Sequence, residues 1–251
     1  MLLKLNIFKL FKLLHMKNFW NDQISPGYYD RIIEKGIDTD KGVQANWHNI
    51  TFSKAQEFFN GNEIHLDYAC GSGTFIGIYV DVKSIGVDIS NIQINYAKKK
   101  YPRKKFIELS NFDFEKYINS FDVVTIFGLM EFISHDEASK LLEKVYRVLK
   151  KDGKLIISTP NFSSSVSFLS ILNSFFGGMS YSTQQICKYN KKSLEKLIKS
   201  SSFTNYKIEK IINLGIVLSF FSISTGKKVN DIITKITKSR LGFLLMAEIK
   251  K

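Results

Sequence analysis

The strongest chemical signal in the sequence is a glycine-containing loop that separates an apolar run from a helical pattern. The run Ile64–Tyr68 predicts a buried strand, and residues 69–74 after it contain Gly71 and Gly73. A strand that leads into such a turn and then a helix lets backbone N–H groups approach a ligand closely. Asp67, four residues before Gly71, adds a carboxylate to the same place. The arrangement predicts a ligand site at the end of this strand.

The spacing of the loop distinguishes it from two other ligand-binding loops. A dinucleotide-binding loop needs a third glycine where helix packs on strand, and Ile76 occupies that position. A phosphate-binding P-loop is excluded because no Gly-Lys-Ser/Thr run follows. A second acid, Asp88, comes directly after the next apolar run, residues 84–87. If both runs are parallel strands, the two carboxylates lie at one edge of a sheet.

These features together resemble two marks of the class I S-adenosylmethionine-dependent methyltransferases. Motif I of that family is an acidic residue followed by alternating glycines, and residues 67–73 match it with Ala69 in place of the first glycine. The second mark is an acid at the end of the next strand, which residues 86–89 supply. Residues 121–133 and 146–161 resemble the family's fourth strand, following helix, glycine turn and fifth strand.

The resemblance covers about residues 64–161 and is similar to small-molecule enzymes such as those of ubiquinone biosynthesis. It implies S-adenosyl-L-methionine as the cofactor. It also implies that Asp88 accepts the ribose hydroxyl hydrogens, and that Asn111 and Phe112 contact the adenine, although a plain loop fits these two residues equally well. The predicted cofactor-binding residues are Asp67, Ala69, Gly71, Gly73, Asp88, Ile89, Asn111, Phe112 and Phe127.

The implied reaction, in-line displacement of an activated methyl group, asks the protein mainly for proximity and alignment. The family has no fixed catalytic triad. Glu131, His48 and His135 are candidates for a base where the acceptor must lose a proton, with surface or capping roles favoured for the two histidines. Cys70 and Cys187 are too few for an iron–sulfur cluster or a four-thiolate site, so the sequence predicts no metal.

The sequence favours a small-molecule acceptor over nucleic acid. DNA and RNA amino-methyltransferases commonly carry a proline-containing motif after the fourth strand, and residues 127–130 contain no proline. Residues 162–185 are rich in apolar side chains, which is compatible with a lipid-like, aromatic or sugar-linked acceptor. The alternatives are an RNA or protein methyltransferase that uses the basic surface, and a cofactor-binding module without turnover.

The charge of the chain indicates little about its partners. The 251 residues include 36 Lys and Arg against 23 Asp and Glu, a formal charge of +13, but the lysines are spread along the whole sequence. Residues 1–17 contain four lysines and no acid. They predict an amphipathic helix with three possible places: on a membrane surface, docked on the body, or upstream of a start at Met16. Two cysteines and no long apolar stretch predict a cytoplasmic protein.

Apolar runs and helical patterns alternate from Ile64 onward, which is typical of α/β proteins. We expect a Rossmann-like, doubly wound sheet of about seven strands, mostly parallel with an antiparallel C-terminal strand, plus a helical N-terminal cap. Predicted strands are 64–68, 84–87, 106–109, 122–127, 154–158, 206–213 and 241–249, and predicted helices are 75–80, 92–100, 136–149 and 193–201. A turn is predicted at 150–154, with Gly153 ending the helix before it.

The same pattern predicts five segments of the chain. A basic extension (1–17) and a helical cap (18–63) precede the cofactor-binding core (64–161). An apolar insertion or lid (162–190) and the C-terminal part of the sheet (191–251) follow it.

Overall fold

The protein is built on one seven-stranded mixed sheet, seen in a computed structural model that describes residues 19–163 and 183–251. The strand order is β3-β2-β1-β4-β5-β7-β6. Neighbours from β3 through β5 pair in parallel, whereas β7 is antiparallel to both β5 and β6. The strands are β1 Ile64–Tyr68, β2 Lys83–Asp88, β3 Lys105–Glu108, β4 Phe121–Phe127, β5 Leu149–Pro160, β6 Asn205–Ile212 and β7 Leu244–Lys250. The predicted fold class is confirmed.

Helices flank the sheet and precede it, as the sequence predicted. They are α1 Tyr28–Thr39, α2 Val43–Gln56, α3 Asn91–Lys100, α4 His135–Val148, α5 Lys191–Lys199 and α6 Ile223–Thr237. The segment after the glycine loop is a π-helical turn, Phe75–Tyr79, rather than an α-helix. Such turns are frequent at functional sites. Short 3₁₀ helices occur at Leu109–Asn111, Phe114–Tyr117, Met130–Phe132 and Leu214–Phe220.

The central strand β4 is buried on both faces, which explains its run of β-branched residues. Val124 and Ile126 pack in the core beneath α4. Val123, which points to the opposite face, packs with Phe75 and Ile156. Burial of both faces fixes the strand in the middle of the sheet, so its carboxyl end lies beside that of β1.

The amphipathic helix α4 begins and ends differently from the prediction. Its start is a capping box, in which the Ser134 hydroxyl accepts from the N–H of Glu137 and the Glu137 side chain accepts from the N–H of Ser134. The predicted turn at 150–154 lies inside a strand and does not separate two elements, because α4 ends at Val148 and β5 begins at the next residue. The chain still bends there, since Asp152 has a φ of 64°. The pairing register between β5 and β4 shifts within this stretch, so these residues form a bulge inside the strand. Gly153 therefore does not end the helix.

Sequence reasoning missed the helix α6 between β6 and β7. Its buried residues are Ile223, Gly226 and Asn230, and because the last two are small or polar, the usual apolar period is hidden. Among the described residues, no helix is both long and apolar enough to cross a membrane. The predictions for residues 1–17, and most of the predicted insertion at 162–190, lie outside the described residues.

Candidate active site

The glycine loop lies at the carboxyl end of β1 and is held there by its neighbour β2. The N–H groups of Ala69 and Cys70 donate to the carbonyl of Val87 at 2.7 and 3.0 Å. Ala69, Gly71 and Gly73 have φ values of 66°, 53° and 77°, in the left-handed region. Ala69 thus adopts a left-handed conformation that favours glycine, at a cost of about 1–2 kcal/mol.

Gly73 is required by close packing as well as by its φ value. A Cβ on Gly73 would lie 2.5 Å from the Phe106 ring and 3.1 Å from the Cβ of Ala97. The same atom on Gly71 would meet only ordinary contacts, with the ring of Tyr29 at 3.6 Å. The loop is therefore tight against β3 and α3 at Gly73, and is packed less closely at Gly71.

Asp88 ends β2 and ties the loop to the start of α3. Its Oδ2 accepts from the N–H of Gly71 at 2.8 Å, and its Oδ1 accepts from the N–H of Ser90 at 2.8 Å. Burial raises the pKa of Asp88, and these backbone bonds oppose the rise. Each carboxylate oxygen carries about two lone pairs, so both can accept a further hydrogen bond from a vicinal diol. Ile89 follows and is half-buried.

Asp67 is buried beside the loop, with 2% of its surface exposed. The Thr125 hydroxyl donates to its Oδ1 at 2.7 Å. Burial raises the pKa of Asp67 to about 7. A carboxyl in this state ionises readily when a cationic group approaches it.

A buried histidine that the sequence did not single out holds Thr125 in place. Nε2 of His65 lies 2.8 Å from the Thr125 Oγ1, and its Nδ1 lies 3.1 Å from the Ser84 Oγ. Because Thr125 gives its only proton to Asp67, His65 donates to it from Nε2, while Nδ1 faces a Ser84 hydroxyl that donates to the carbonyl of Val82 at 3.2 Å. Burial lowers the pKa of His65 to about 3, so the ring is neutral. The signal available in the sequence was the two-residue spacing of His65 and Asp67, which puts them on one face of β1.

Glu131 is the buried acid beyond the end of β4, with 4% of its surface exposed. Its Oε2 accepts from the Thr159 hydroxyl at 2.9 Å. Its backbone carbonyl accepts from the N–H groups of Ile186 and Cys187 at 2.8 and 3.1 Å. Burial raises the pKa of Glu131 to about 7. The residue thus combines a carboxyl that can exchange protons near neutral pH with an anchor for the chain at 186–187.

The structure places the two candidate histidines in different surroundings. His48, on α2, lies between the rings of Tyr29 and Phe52, with centroids 5.3 and 5.8 Å away. Burial lowers the pKa of His48 to about 4, so it is neutral. His135 is exposed at the start of α4, with its Nδ1 3.3 Å from the hydroxyl of Tyr189.

The residues predicted to surround the adenine also differ from one another. Asn111 is exposed at the end of a 3₁₀ turn. Phe112 is buried in the core and stacks on Tyr117, with ring centroids 5.0 Å apart. Phe127, at the end of β4, is half-buried against Phe52 and Phe75. Most of the Phe112 ring is therefore engaged by the protein, whereas the Asn111 amide is accessible.

The segment before β1 covers the loop, a contact that spacing alone could not predict. Asp30, fully buried on α1, accepts hydrogen bonds from the hydroxyls of Thr74 and Tyr101. Gln93 on α3 donates to the carbonyl of Ser25 at 3.0 Å. Trp20 packs edge-on against Phe132, with centroids 5.2 Å apart. Residues 19–39 therefore lie across the loop, the start of α3 and the end of β4.

Comparisons with known proteins agree with this geometry. Residues 66–157 match the family model of a methyltransferase domain. The chain is 26% identical over 237 residues to the ubiquinone/menaquinone biosynthesis C-methyltransferase of Campylobacter jejuni, covering 86% of this chain and 94% of the relative. The protein is a class I S-adenosylmethionine-dependent methyltransferase. The family predicted from the sequence, its enzymatic nature and its cofactor, S-adenosyl-L-methionine, are thereby confirmed.

Two further comparisons place the methyltransferase among its relatives. It is 30% identical over 112 residues to a tRNA (guanine-N(7)-)-methyltransferase of Clostridium botulinum, which covers 43% of this chain and 46% of the relative. Its fold matches a methyltransferase from Archaeoglobus fulgidus with a TM-score of 0.56 and 20% identity, covering 82% and 94% of the two chains. The phosphoethanolamine N-methyltransferase 2 of Haemonchus contortus, solved with S-adenosyl-L-methionine, has a TM-score of 0.54 and 19% identity, covering 82% of this chain and 53% of that one.

The residues of the methyltransferase fit its cofactor. The loop has glycines with left-handed backbone, and the Asp88 carboxylate beside it has free lone pairs that suit a ribose. The buried acid Asp67 suits a cationic amino-acid part. Within the described residues, no group of three or more His, Cys, Asp or Glu is arranged to hold a metal ion.

Proposed function

We propose that the methyltransferase acts on a small, largely apolar molecule. The observation that carries the proposal is the cover that residues 19–39 form over the glycine loop, with Trp20 packed against Phe132 beside Glu131. A covered site lined by aromatic rings suits a compact acceptor better than a base within a folded polymer. The relative that spans 86% of this chain is named for a biosynthetic C-methylation, whereas the tRNA-modifying relative spans 43%.

The proposed cofactor contacts follow from the geometry of the loop. S-adenosyl-L-methionine supplies an activated methyl group. Asp88 accepts the two ribose hydroxyl hydrogens, and the backbone near Gly71 approaches the cofactor closely. Asp67 faces the cationic amino-acid part, where its ionised form is stabilised. Asn111 is the accessible acceptor for the adenine amino group.

We assign the proton-accepting role to Glu131 rather than to His48 or His135. A base must be able to take a proton at neutral pH, and its pKa of about 7 suits that task. The acceptor's nucleophilic atom forms the new bond to the methyl carbon as the sulfur–carbon bond breaks, and the sulfur keeps the electron pair. The proton that the acceptor loses passes to a carboxylate oxygen of Glu131. Thr159 holds that carboxylate in orientation.

The test is a transfer assay on fractions of a cell extract. Wild type and Asp88→Ala are incubated with methyl-labelled cofactor and, separately, with solvent-extractable small molecules, RNA and protein. We expect label in the solvent-extractable fraction with wild type only. Label in RNA would favour the alternative suggested by the basic surface, and cofactor binding without labelling of any fraction would favour a module without turnover.

A further inference from the structure

The C-terminal helix α6 carries an apolar stripe on its outer side. Val229, Ile232, Ile233 and Ile236 lie at positions i, i+3, i+4 and i+7, so they share one side of the helix. Ile232 is 56% exposed and Ile236 is 75% exposed. Val229 and Ile233 are half-buried. We call these four residues the α6 stripe.

The α6 stripe is separate from the side of the helix that packs on the protein. That inner side is formed by Ile223, Gly226 and Asn230. The Asn230 side chain donates to the carbonyl of Ile211 at 3.1 Å and accepts from the N–H of Asn213 at 2.9 Å. The inner side thus includes the small Gly226 and the polar Asn230, while the aliphatic Ile232 and Ile236 are exposed. Exposed aliphatic residues grouped in this way mark an interaction surface.

Basic residues border the α6 stripe. Lys228 and Lys235 are both exposed, and they lie four residues before and three residues after Ile232, which makes them its neighbours on the helix surface. Residues 222–243 contain one acid, Asp231, which pairs with Lys227 at 3.0 Å. The basic residues of this segment are Lys227, Lys228, Lys235, Lys238 and Arg240.

Further exposed apolar side chains flank the helix at both ends. Phe221 precedes α6 and is 71% exposed, and Leu241 follows it and is 61% exposed. A partner for this region must therefore accept aliphatic and aromatic groups and must also be anionic.

Charge decides among the candidate partners. A second copy of the chain would bring two basic segments together. Residues 1–17 have four lysines and no acid, so they are repelled as well. A nucleic acid matches the charge but offers its phosphates, not an apolar medium, to Ile232 and Ile236. An anionic lipid surface satisfies both requirements, because its headgroups take the lysines and its acyl boundary takes the isoleucines.

We propose that α6 docks the protein on an anionic membrane surface, with the α6 stripe at the headgroup–acyl boundary and Lys228 and Lys235 at the lipid phosphates. This surface is independent of the methyl acceptor and goes beyond the proposed function.

The first test is co-sedimentation of the full chain with vesicles. We expect pelleting with vesicles of equal parts phosphatidylcholine and phosphatidylglycerol, little pelleting with phosphatidylcholine alone, and weaker binding at high salt. The double variant Ile232→Ser/Ile236→Ser should lower the partition coefficient about tenfold or more. The control is Ile118→Ser, an isoleucine that is 45% exposed elsewhere on the chain, which should leave binding unchanged.

A second readout reports insertion directly. Tryptophan emission of Ile236→Trp, measured against the wild-type spectrum, should shift to the blue with anionic vesicles and stay unchanged with neutral ones. Equal pelleting of wild type and the double serine variant would overturn the proposal. A concentration-dependent dimer in the ultracentrifuge that Ile236→Ser abolishes would overturn it too, by assigning the stripe to a second copy. No acceptor is present in these measurements, so their failure leaves the proposed function untouched.

Discussion

The two ends of the parallel strands differ in the charged groups that they carry: basic residues at the surface at one end, and acids removed from water at the other. At the amino ends, a groove of about 820 Å³ is lined by basic residues that are solvated or paired at the surface. There Lys104 pairs with Asp81 at 3.2 Å, and Lys150 pairs with Asp122 at 2.7 Å. At the carboxyl ends lie two buried acids, Asp67 and Glu131, and the half-buried Asp88.

The carboxylates at the two ends differ in their access to water and to basic partners, and their pKa values differ accordingly. Burial alone would raise the pKa of Asp122, but the ammonium of Lys150 and the N–H of Ile64 hold it below its usual value. Burial raises the pKa of Asp67 and of Glu131 to about 7, and neither has a basic partner among its hydrogen bonds. The groove at the amino ends therefore lies away from the groups whose protonation can change during a reaction. The proposed site is thus supported by its desolvated acids and not by the size of a cavity.

The largest effect should come from the carboxyl end, at Glu131. Glu131→Gln keeps the shape and the bond from Thr159 but removes the base. We expect kcat to fall about 100-fold or more, with the cofactor Kd unchanged, measured by single-turnover kinetics and calorimetry. An equal loss of cofactor affinity would contradict the assignment and indicate a structural role.

Next in size is the loss of the ribose carboxylate. Asp88→Ala should weaken cofactor binding by about 1.5–3 kcal/mol, the scale of a hydrogen bond to a charged group, as measured by calorimetric titration. The matched control is Asp81→Ala, which removes an exposed carboxylate at the amino ends. Wild-type affinity in Asp88→Ala would refute the ribose contact, and weakened affinity in Asp81→Ala would remove the contrast between the two ends.

The pH dependence of cofactor binding should report the raised pKa of the buried Asp67. In the free enzyme Asp67 is protonated below a pKa of about 7, and a cationic ligand binds the ionised form better. Cofactor affinity should therefore fall as pH drops below about 7, by up to roughly tenfold per pH unit. Thr125→Val removes a hydrogen bond that lowers the pKa of Asp67, so it should move the onset to higher pH.

The serine variant supplies the control for that pH profile. Thr125→Ser keeps the hydroxyl and should restore the wild-type onset. A valine variant whose affinity is lower at every pH, with no change in the onset, would show that Thr125 only packs in the core.

The smallest effect is expected at the amino ends. Lys150→Ala breaks a half-exposed pair with Asp122, and the free energy of unfolding should fall by no more than about 1 kcal/mol. Cofactor affinity and kcat should not change. Denaturant unfolding and the same titration check both statements, and a loss of affinity would show that the two ends are coupled.

The sequence predicted the parts of the site that depend on local order. The strand at Ile64–Tyr68, the glycine loop and the acid at Asp88 follow one another within about one strand–helix–strand unit, so spacing alone placed them. The bond between Asp67 and Thr125 joins residues 58 positions apart, and it exists only because β4 lies next to β1. Asp30 reaches Thr74 across 44 positions from a helix that spacing cannot orient.

Two misses have local causes. The bulge near Gly153 was mistaken for a turn, because aspartate followed by glycine, here Asp152 and Gly153, is typical of turns. Helix α6 was overlooked because Gly226 and Asn230 occupy the positions where a buried helix usually carries aliphatic residues. In both cases the structure depends on packing against a part of the chain distant in sequence, which a local sequence pattern does not contain.

The cover over the glycine loop has a kinetic consequence. Residues 19–39 are fastened to the loop and to α3 by the bonds of Asp30 and Gln93. With the cofactor bound beneath them, as proposed, spent cofactor would leave only when some of those bonds break. The opening rate of this segment is then an upper limit on turnover, however fast the chemical step is. A variant with fewer of these bonds would hold the cofactor for a shorter time and release it faster. Such a variant could have a lower rate in a single turnover and still a higher rate at steady state.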